Sequence, residues 1–384
     1  MTIAATDMVD VARGLRQEID SYSAESERLG HLPDGLVRLL SERGFFDLSR
    51  PAAYGGLELD LATSFRAVEE VSAADGSTGW CVVIGNGIGP VRCLTHEVAR
   101  EIYRPGVPLA GVASPAGRFT PVEGGYRVTG RWAYASGSHY AGWIALGGLV
   151  FDGAQPRITG GRPEYRVAYV RTSDVQILDT WHVAGLRGTG SNDVVADGVF
   201  VPAERSAAPM SDAPVLTGAV FAIPQFTLFS ITLVPVALGI ARRAIEEITA
   251  LAEGKVPLGS ATTLRERPLA QYELGRAEGL LRGGSALLYN TVDELVATVE
   301  CGEEVSMALR GRVRLAGTFA TDSAAQAVEI CYRLGGGTSN YETSALQRCM
   351  RDMHAITQHF IVASSNYEIV GRIMMGLEPG TPAI

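Results

Sequence analysis

Two histidines, His354 and His359, stand five residues apart in the stretch R-D-M-H-A-I-T-Q-H-F-I-V-A-S-S-N-Y-E-I-V-G-R-I-M-M-G, Arg351 to Gly376. Imidazole is the side chain best suited to move a proton near neutral pH. Successive helical residues turn by about 100°, so this spacing sends the two rings to different faces of one helix. That rules out the i, i+4 histidine pair of a zinc helix and leaves at most one ring facing an internal site. His359, between Gln358 and Phe360 and ahead of Ile361 and Val362, has the more apolar neighbours and is the candidate general acid or base. Other patterns are weaker. Gly85-Asn86-Gly87-Ile88-Gly89 sits in helical context on both sides, whereas a dinucleotide loop follows a strand, so close helix packing is expected of it. No G-x-S-x-G occurs, which removes the commonest serine-hydrolase signature.

The elements that would position such a site follow from composition and periodicity. With 384 residues, 46% hydrophobic and 20% charged, the chain reads as a soluble globular protein with a sizeable core. A net charge of −9 and the lack of any Lys/Arg cluster interleaved with aromatics exclude a nucleic-acid partner. Cys81, Cys93, Cys301, Cys331 and Cys349 are odd in number and form no C-x-x-C, so free thiols in a reducing cytoplasm are expected. The N-terminal M-T-I-A-A-T-D-M-V-D lacks the basic and apolar regions of a secretion signal. The longest apolar run, Phe226 to Ala241, is interrupted by Ser230, Thr232 and Pro235 and is shorter than the ~20 residues of a membrane span. It predicts a buried bundle helix and no membrane partner.

Spacing predicts helices over about Asp7–Glu27, after Pro33, and over Leu61–Ala73, Gly79–Val91 and His96–Tyr103, with a loop from Phe45 to Gly56. Short β-rich runs then predict strands at Tyr126–Tyr134, Trp143–Phe151, Tyr165–Arg171, Val175–Leu178 and Asp193–Val201, an antiparallel barrel or sandwich. Beyond the connector Ala207–Gly218, long amphipathic helices over Phe226–Ala252, Arg267–Glu300, Glu303–Leu334 and the terminal pair predict a four-helix bundle. The domain plan is therefore helical over 1–108, β over 109–206 and helical over 207–384.

That three-part α+β plan resembles the acyl-CoA dehydrogenase superfamily over essentially the whole chain, and the resemblance sharpens at three motifs. Arg351-Asp352 followed by Ile356-Thr357-Gln358 is similar to the family's approach to the flavin ring, but dehydrogenases follow it with I-Y-E-G, whose glutamate removes the substrate α-proton. Here Ile361 occupies the glutamate's place. His359, with Tyr367, Glu368, Gly371 and Arg372 beyond it, is instead similar to the flavin-dependent monooxygenases of this fold. Trp132-Ala133-Tyr134-Ala135-Ser136-Gly137 resembles the strand and turn lying against the isoalloxazine. Trp181 to Asp193, containing G-L-R-G-T-G-S, resembles the family's G-[LIMR]-R-G-[ST]-x-[ST] crossing in the form common to its monooxygenases.

The resemblance implies the oxygenase half of a two-component monooxygenase. It would take reduced FMN or FAD from a separate NAD(P)H–flavin reductase, and molecular oxygen would add at flavin C4a. A small, aromatic or polycyclic substrate would be oxidised by the C4a-hydroperoxide. His359 and Ser136 are implied as catalytic. Tyr134, Ser136, Gly137, Trp181, Arg187, Gly188, Thr189, Ser191 and Ser114 would bind the flavin, with Arg265 and Arg267 at its phosphates and Gly335–Ser339 near the adenine. A homotetramer or dimer with flavin at the subunit interface is also implied. The alternative is an acyl-CoA dehydrogenase or oxidase with a relocated base, such as Glu329 or Glu273.

Overall fold

Apolar residues recurring every three to four positions drive the chain into helices up to Ile102 and again from Ala219 onward, since a helix buries its apolar stripe only against another element. The computed structural model describes residues 5–384 other than Ile88. The first four residues of the N-terminal stretch and the isoleucine of the Gly85–Gly89 run therefore lie outside the described residues.

The helix expected over Asp7–Glu27 is three short ones, Ala5–Gly14, Arg16–Ser21 and Ser23–Leu29. Asp60 and Asp75 cap the helices Leu61–Ala74 and Gly76–Asn86 by accepting the N–H groups of Thr63 and Thr78. The second begins three residues before the expected Gly79 and stops at Asn86, because Gly87 turns left-handed with φ 61°. Arg50 lies buried beneath its C-terminal end and donates to the carbonyls of Gly85 and Val107, each at 2.7 Å. The Gly85 bond satisfies an acceptor that the helix end leaves open.

The sheet corrects the antiparallel expectation: it is mixed. Strand Leu109–Val122 pairs antiparallel with Gly125–Ala135 through a tight hairpin, and parallel with Trp143–Asp152 on its other side. The segment from Ser136 to Gly142 carries the chain over the first strand, so the third strand runs in the direction of the first. Tyr165–Arg171 and Ser206–Ala207 extend one edge, and Asn192–Pro202 and Gln176–Leu178 the other. The strand Leu109–Val122 was not expected from its Gly-rich sequence. Its register breaks between Val112 and Gly117, and this irregularity accommodates Pro115, which cannot donate to a ladder.

The helices Val234–Gly254, Pro268–Glu300, Met307–Gly335 and Ala345–Thr357 form the bundle, with Asn366–Met374 packed on its end. The expected single helix over Phe226–Ala252 breaks at Leu233 into Gln225–Thr232 and Val234–Gly254, because Pro235 fits only a first turn. By length and composition this stretch suits a bilayer, yet 72% of its most apolar window is buried inside the protein. Gly239 sits where an added Cβ would lie 2.3 Å from the Glu69 carbonyl. That close approach brings the buried Glu69 and Glu70 to Arg242, and Tyr289 donates to Glu69 at 2.9 Å.

Candidate functional site

Tyr134 and Leu186 both take positive φ, 70° and 52°, a region that side-chain-bearing residues rarely occupy. At Tyr134 this breaks the in–out alternation of the strand. Trp132 points into the core with its indole N–H on the Gly147 carbonyl at 2.7 Å, while the Tyr134 ring is 70% exposed and meets Trp181 edge-on at 6.2 Å. Gly137, at φ 73°, donates its N–H to the Thr189 carbonyl at 3.0 Å and so joins the two glycine-containing motifs. Between them runs a chain of buried hydroxyls. Ser136 Oγ lies 2.6 Å from Ser191 Oγ, which lies 2.6 Å from Thr189 Oγ1, which donates to the Leu186 carbonyl at 2.9 Å.

Trp80, on the helix Gly76–Asn86, links this chain to the histidine. Its indole N–H donates to Ser136 Oγ at 3.0 Å, and its ring faces that of His359 at 5.7 Å in an edge contact. His359 also stacks on Phe360 at 5.0 Å and meets Phe229 at 6.0 Å. It is half-buried, whereas His354 is exposed. Nδ1 accepts the Ile361 N–H at 3.4 Å, which assigns the proton of the neutral ring to Nε2. Burial among aromatic rings pulls the imidazolium pKa down to about 4, because a charged ring loses its hydration there. His359 is therefore neutral at working pH, and the near-neutral titration expected from sequence is displaced. Ile361, in the place of the dehydrogenase glutamate, is 1% exposed.

Phe229 also walls an apolar cavity of about 180 Å³ between the helices Leu61–Ala74, Gly76–Asn86 and Gln225–Thr232 and the first strand. Phe65, Val68, Ile84 and Phe226 line it together with the amides of Asn86 and Gln225. Gly87 and Gly89 form part of its wall, and an added Cβ at Gly85 would lie 2.5 Å from Phe46. Packing, not phosphate binding, is what the Gly85–Gly89 run does. No carboxylate stands among the described residues of the lining. Glu273 and Glu329 pair instead with Arg276 and Arg333 on helix surfaces. No grouping of three metal-ligating side chains occurs among the described residues.

The loop Trp181–Asp193 is clamped from below. An added Cβ at Gly185 would lie 2.0 Å from the Arg351 carbonyl, and one at Gly188 would lie 2.8 Å from Ser26 Cβ. Arg351 donates to the Ala184 carbonyl and, at 2.7 Å, to Glu27; Asp352 accepts the Leu186 N–H at 2.6 Å. Burial and the nearby Asp75 carboxylate push Asp352 up to about 7. Trp181 donates its indole N–H to the Leu186 carbonyl at 3.0 Å, and its backbone N–H to Asn192 at 2.9 Å.

A second cavity, of about 560 Å³, opens at the far end of the bundle. It gathers Arg267, Lys255 and Arg333 around Gly336, Gly337 and Thr338, with Lys255 Nζ on the Thr338 hydroxyl. Arg267 of the loop expected at the flavin phosphates and the glycine turn expected near the adenine thus share one cavity. Arg265 is exposed and outside its lining, Arg187 is exposed, and Ser114 is exposed in the irregular part of the first strand. These three do not join the hydroxyl cluster. Sequence reasoning missed Trp80, Phe229, Asp352, Lys255 and Arg333. Only Asp352 carried a signal, its R-D placement, whereas the others are brought in by contacts distant in sequence.

Comparison with known proteins agrees with this geometry. Residues 7–107 match the model of the acyl-CoA dehydrogenase N-terminal domain, and residues 231–364 that of the acyl-CoA dehydrogenase C-terminal domain. The chain is 31% identical to an indole-3-acetate monooxygenase of Pseudomonas putida, over 92% of this chain and 90% of that one. It is 32% identical to the flavin-dependent monooxygenase oxygenase subunit HsaA of Rhodococcus jostii, over 87% and 89%. The crystal structure of 3-HSA hydroxylase from Rhodococcus sp. RHA1 superposes with a TM-score of 0.89 at 29% identity, covering 99% of this chain and 98% of that one.

Proposed function

Since the chain belongs to the acyl-CoA dehydrogenase superfamily, in its flavin-dependent monooxygenase branch, we propose that it is the oxygenase component of a two-component system acting on a small aromatic substrate. Reduced FMN or FAD, delivered by a separate reductase, supplies the electrons with which molecular oxygen is split between substrate and water. One observation carries the reading: the apolar cavity walled by Phe229, whose ring also meets His359, contains no carboxylate among its described lining residues. Abstraction of an α-proton needs a base of that kind, so the dehydrogenase alternative lacks its essential group here.

The residues fit a flavin at both ends. Tyr134 and Trp181 offer an aromatic wall beside Ser136, and the cations around Gly336–Thr338 suit phosphate. Ser136 Oγ would hold the ring's N–H edge. His359, neutral and with Nε2–H free to donate, orients a hydroxyl or ring nitrogen of the substrate against the reacting centre. Phe226, Phe229 and Phe65 keep water out. The exposed Leu258, Tyr272 and Tyr341 near the second cavity, and Met374, Met375 and Leu377 at the C-terminal end, support assembly as a homodimer or homotetramer, since clustered exposed apolar side chains mark interaction surfaces.

The test supplies the protein with an independent flavin reductase, NADH, FMN or FAD, and ¹⁸O₂, against a panel of phenols, indoles and fused aromatics. A hydroxylated product carrying a single labelled oxygen is expected. Absence of label in every product, together with bleaching of bound oxidised flavin by an acyl-CoA, would return the dehydrogenase reading.

A further inference from the structure

Asp352 touches neither the apolar cavity nor the hydroxyl chain, yet one bond connects it to both sides of the candidate site. Its Oδ1 accepts the N–H of Leu186 at 2.6 Å, and it is 2% exposed. Leu186 is held at φ 52°, a conformation that costs a non-glycine residue stability and persists only where neighbours enforce it. On the other side of the same residue, its carbonyl receives three donors, the Thr189 hydroxyl at 2.9 Å, the Trp181 indole at 3.0 Å and the Thr189 N–H at 3.2 Å. Gly185 against the Arg351 carbonyl, and Arg351 on Ala184, hold the preceding residues down.

The direction of the hydroxyl chain follows from that carbonyl. A carbonyl only accepts, so the single proton of Thr189 Oγ1 is committed to Leu186. Thr189 then has only lone pairs for Ser191, whose proton must point to Thr189. Ser191 in turn has only lone pairs for Ser136, whose proton must point to Ser191. Ser136 Oγ accepts from Trp80 at 3.0 Å and keeps one lone pair and no proton for a ligand. The N5 position of reduced flavin carries a hydrogen, and that of oxidised flavin carries a lone pair. A hydroxyl fixed as an acceptor bonds the first and repels the second.

We propose that Asp352 is a positioning residue: by fixing the Leu186 peptide it sets the polarity of the Thr189–Ser191–Ser136 chain, and this makes the site select reduced over oxidised flavin. The inference rests on the flavin reading above. It adds the cause of redox selectivity and places that cause in a residue remote from the ligand.

The experiment is anaerobic equilibrium binding of FMN and of photoreduced FMN to the full chain and to three variants. Wild type binds the reduced form more tightly. Asp352→Ala releases Leu186 and lowers that preference by about tenfold, the worth of one well-placed hydrogen bond. Asp352→Asn, which retains an acceptor oxygen for the Leu186 N–H, recovers most of it. Thr189→Val leaves Asp352 in place and removes the acceptor for Ser191. Ser191 can then donate to Ser136, whose freed proton faces the ligand, and the preference falls in the same way. Should Asp352→Ala fail to fold, Thr189→Val and Asp352→Asn decide the matter. Loss of affinity for both redox forms in equal measure, or an unchanged preference in Thr189→Val, would overturn the proposal. Failure of wild type to bind either form, or tighter binding of oxidised FMN by wild type, would instead sink the flavin reading on which it rests.

Discussion

Replacing His359 by alanine lowers product formation by about 10²-fold while flavin oxidation continues, the cost of removing one preorganised hydrogen-bond partner at a reacting centre. The ring sits between Trp80, which bonds the hydroxyl chain, Phe229, which lines the apolar cavity, and Phe360. Without it the substrate still enters but is no longer held, so electrons pass to oxygen without oxidising the substrate. The measurement is product formed per flavin oxidised, read beside thermal stability. Coupled loss of both flavin oxidation and stability would make His359 a packing residue. pH dependence gives a second reading of the same site. The pKa is lowered to about 4, so the ring takes up a proton only as pH falls through that value and stays neutral above it. Wild type and His359→Gln should therefore have product-yield profiles of the same shape between about pH 5.5 and 8. A limb near the ordinary histidine pKa in wild type, lost in the variant, would mean that the imidazole titrates during turnover.

Gly185→Ala is expected to cost more than about 4 kcal/mol and to abolish folding or flavin binding at ordinary temperature. The new Cβ would stand 2.0 Å from the Arg351 carbonyl oxygen and 2.8 Å from the Asp352 N. Both are backbone atoms of the helix Ala345–Thr357, and neither can rotate aside. Relief requires lifting the whole loop Trp181–Asp193, which breaks the Leu186 bond to Asp352 and the Gly137 bond to Thr189. Gly371→Ala makes the matched control. An added Cβ there meets nothing within 4 Å, so a fall in melting temperature comparable to that of Gly185→Ala would contradict the account of the loop's seat.

The contrast between these two positions marks what was legible in the sequence. His359 was legible because an imidazole in an apolar helix end is unusual, and because Ile361 stands where a dehydrogenase has its base. The helices were legible wherever one stripe is apolar, as in Met307–Gly335. The long first strand was not, since Pro115 and its neighbouring glycines mimic a loop and are tolerated only through the register break at Val112/Gly117. Trp80 looked like any core tryptophan. Its role arises from 56 residues of separation to Ser136, and periodicity carries no information about contacts at that range. Arg265 and Arg267 were indistinguishable as sequence, and only the geometry of the bundle end assigns Arg267 to the cavity with Lys255 and Arg333. The pKa of His359 was equally hidden, because two of the aromatic rings around it, Trp80 and Phe229, come from distant parts of the chain.

The central claim is that this chain uses reduced flavin to activate oxygen beside an apolar cavity. Rapid mixing of the anaerobic protein, preloaded with photoreduced FMN or FAD, with oxygenated buffer in the absence of substrate tests it most directly. The account predicts a transient absorbing species, distinct from both reduced and oxidised flavin, whose lifetime on the protein far exceeds that in free solution. Direct conversion to oxidised flavin, with no such phase and at the rate of flavin free in solution, would contradict it.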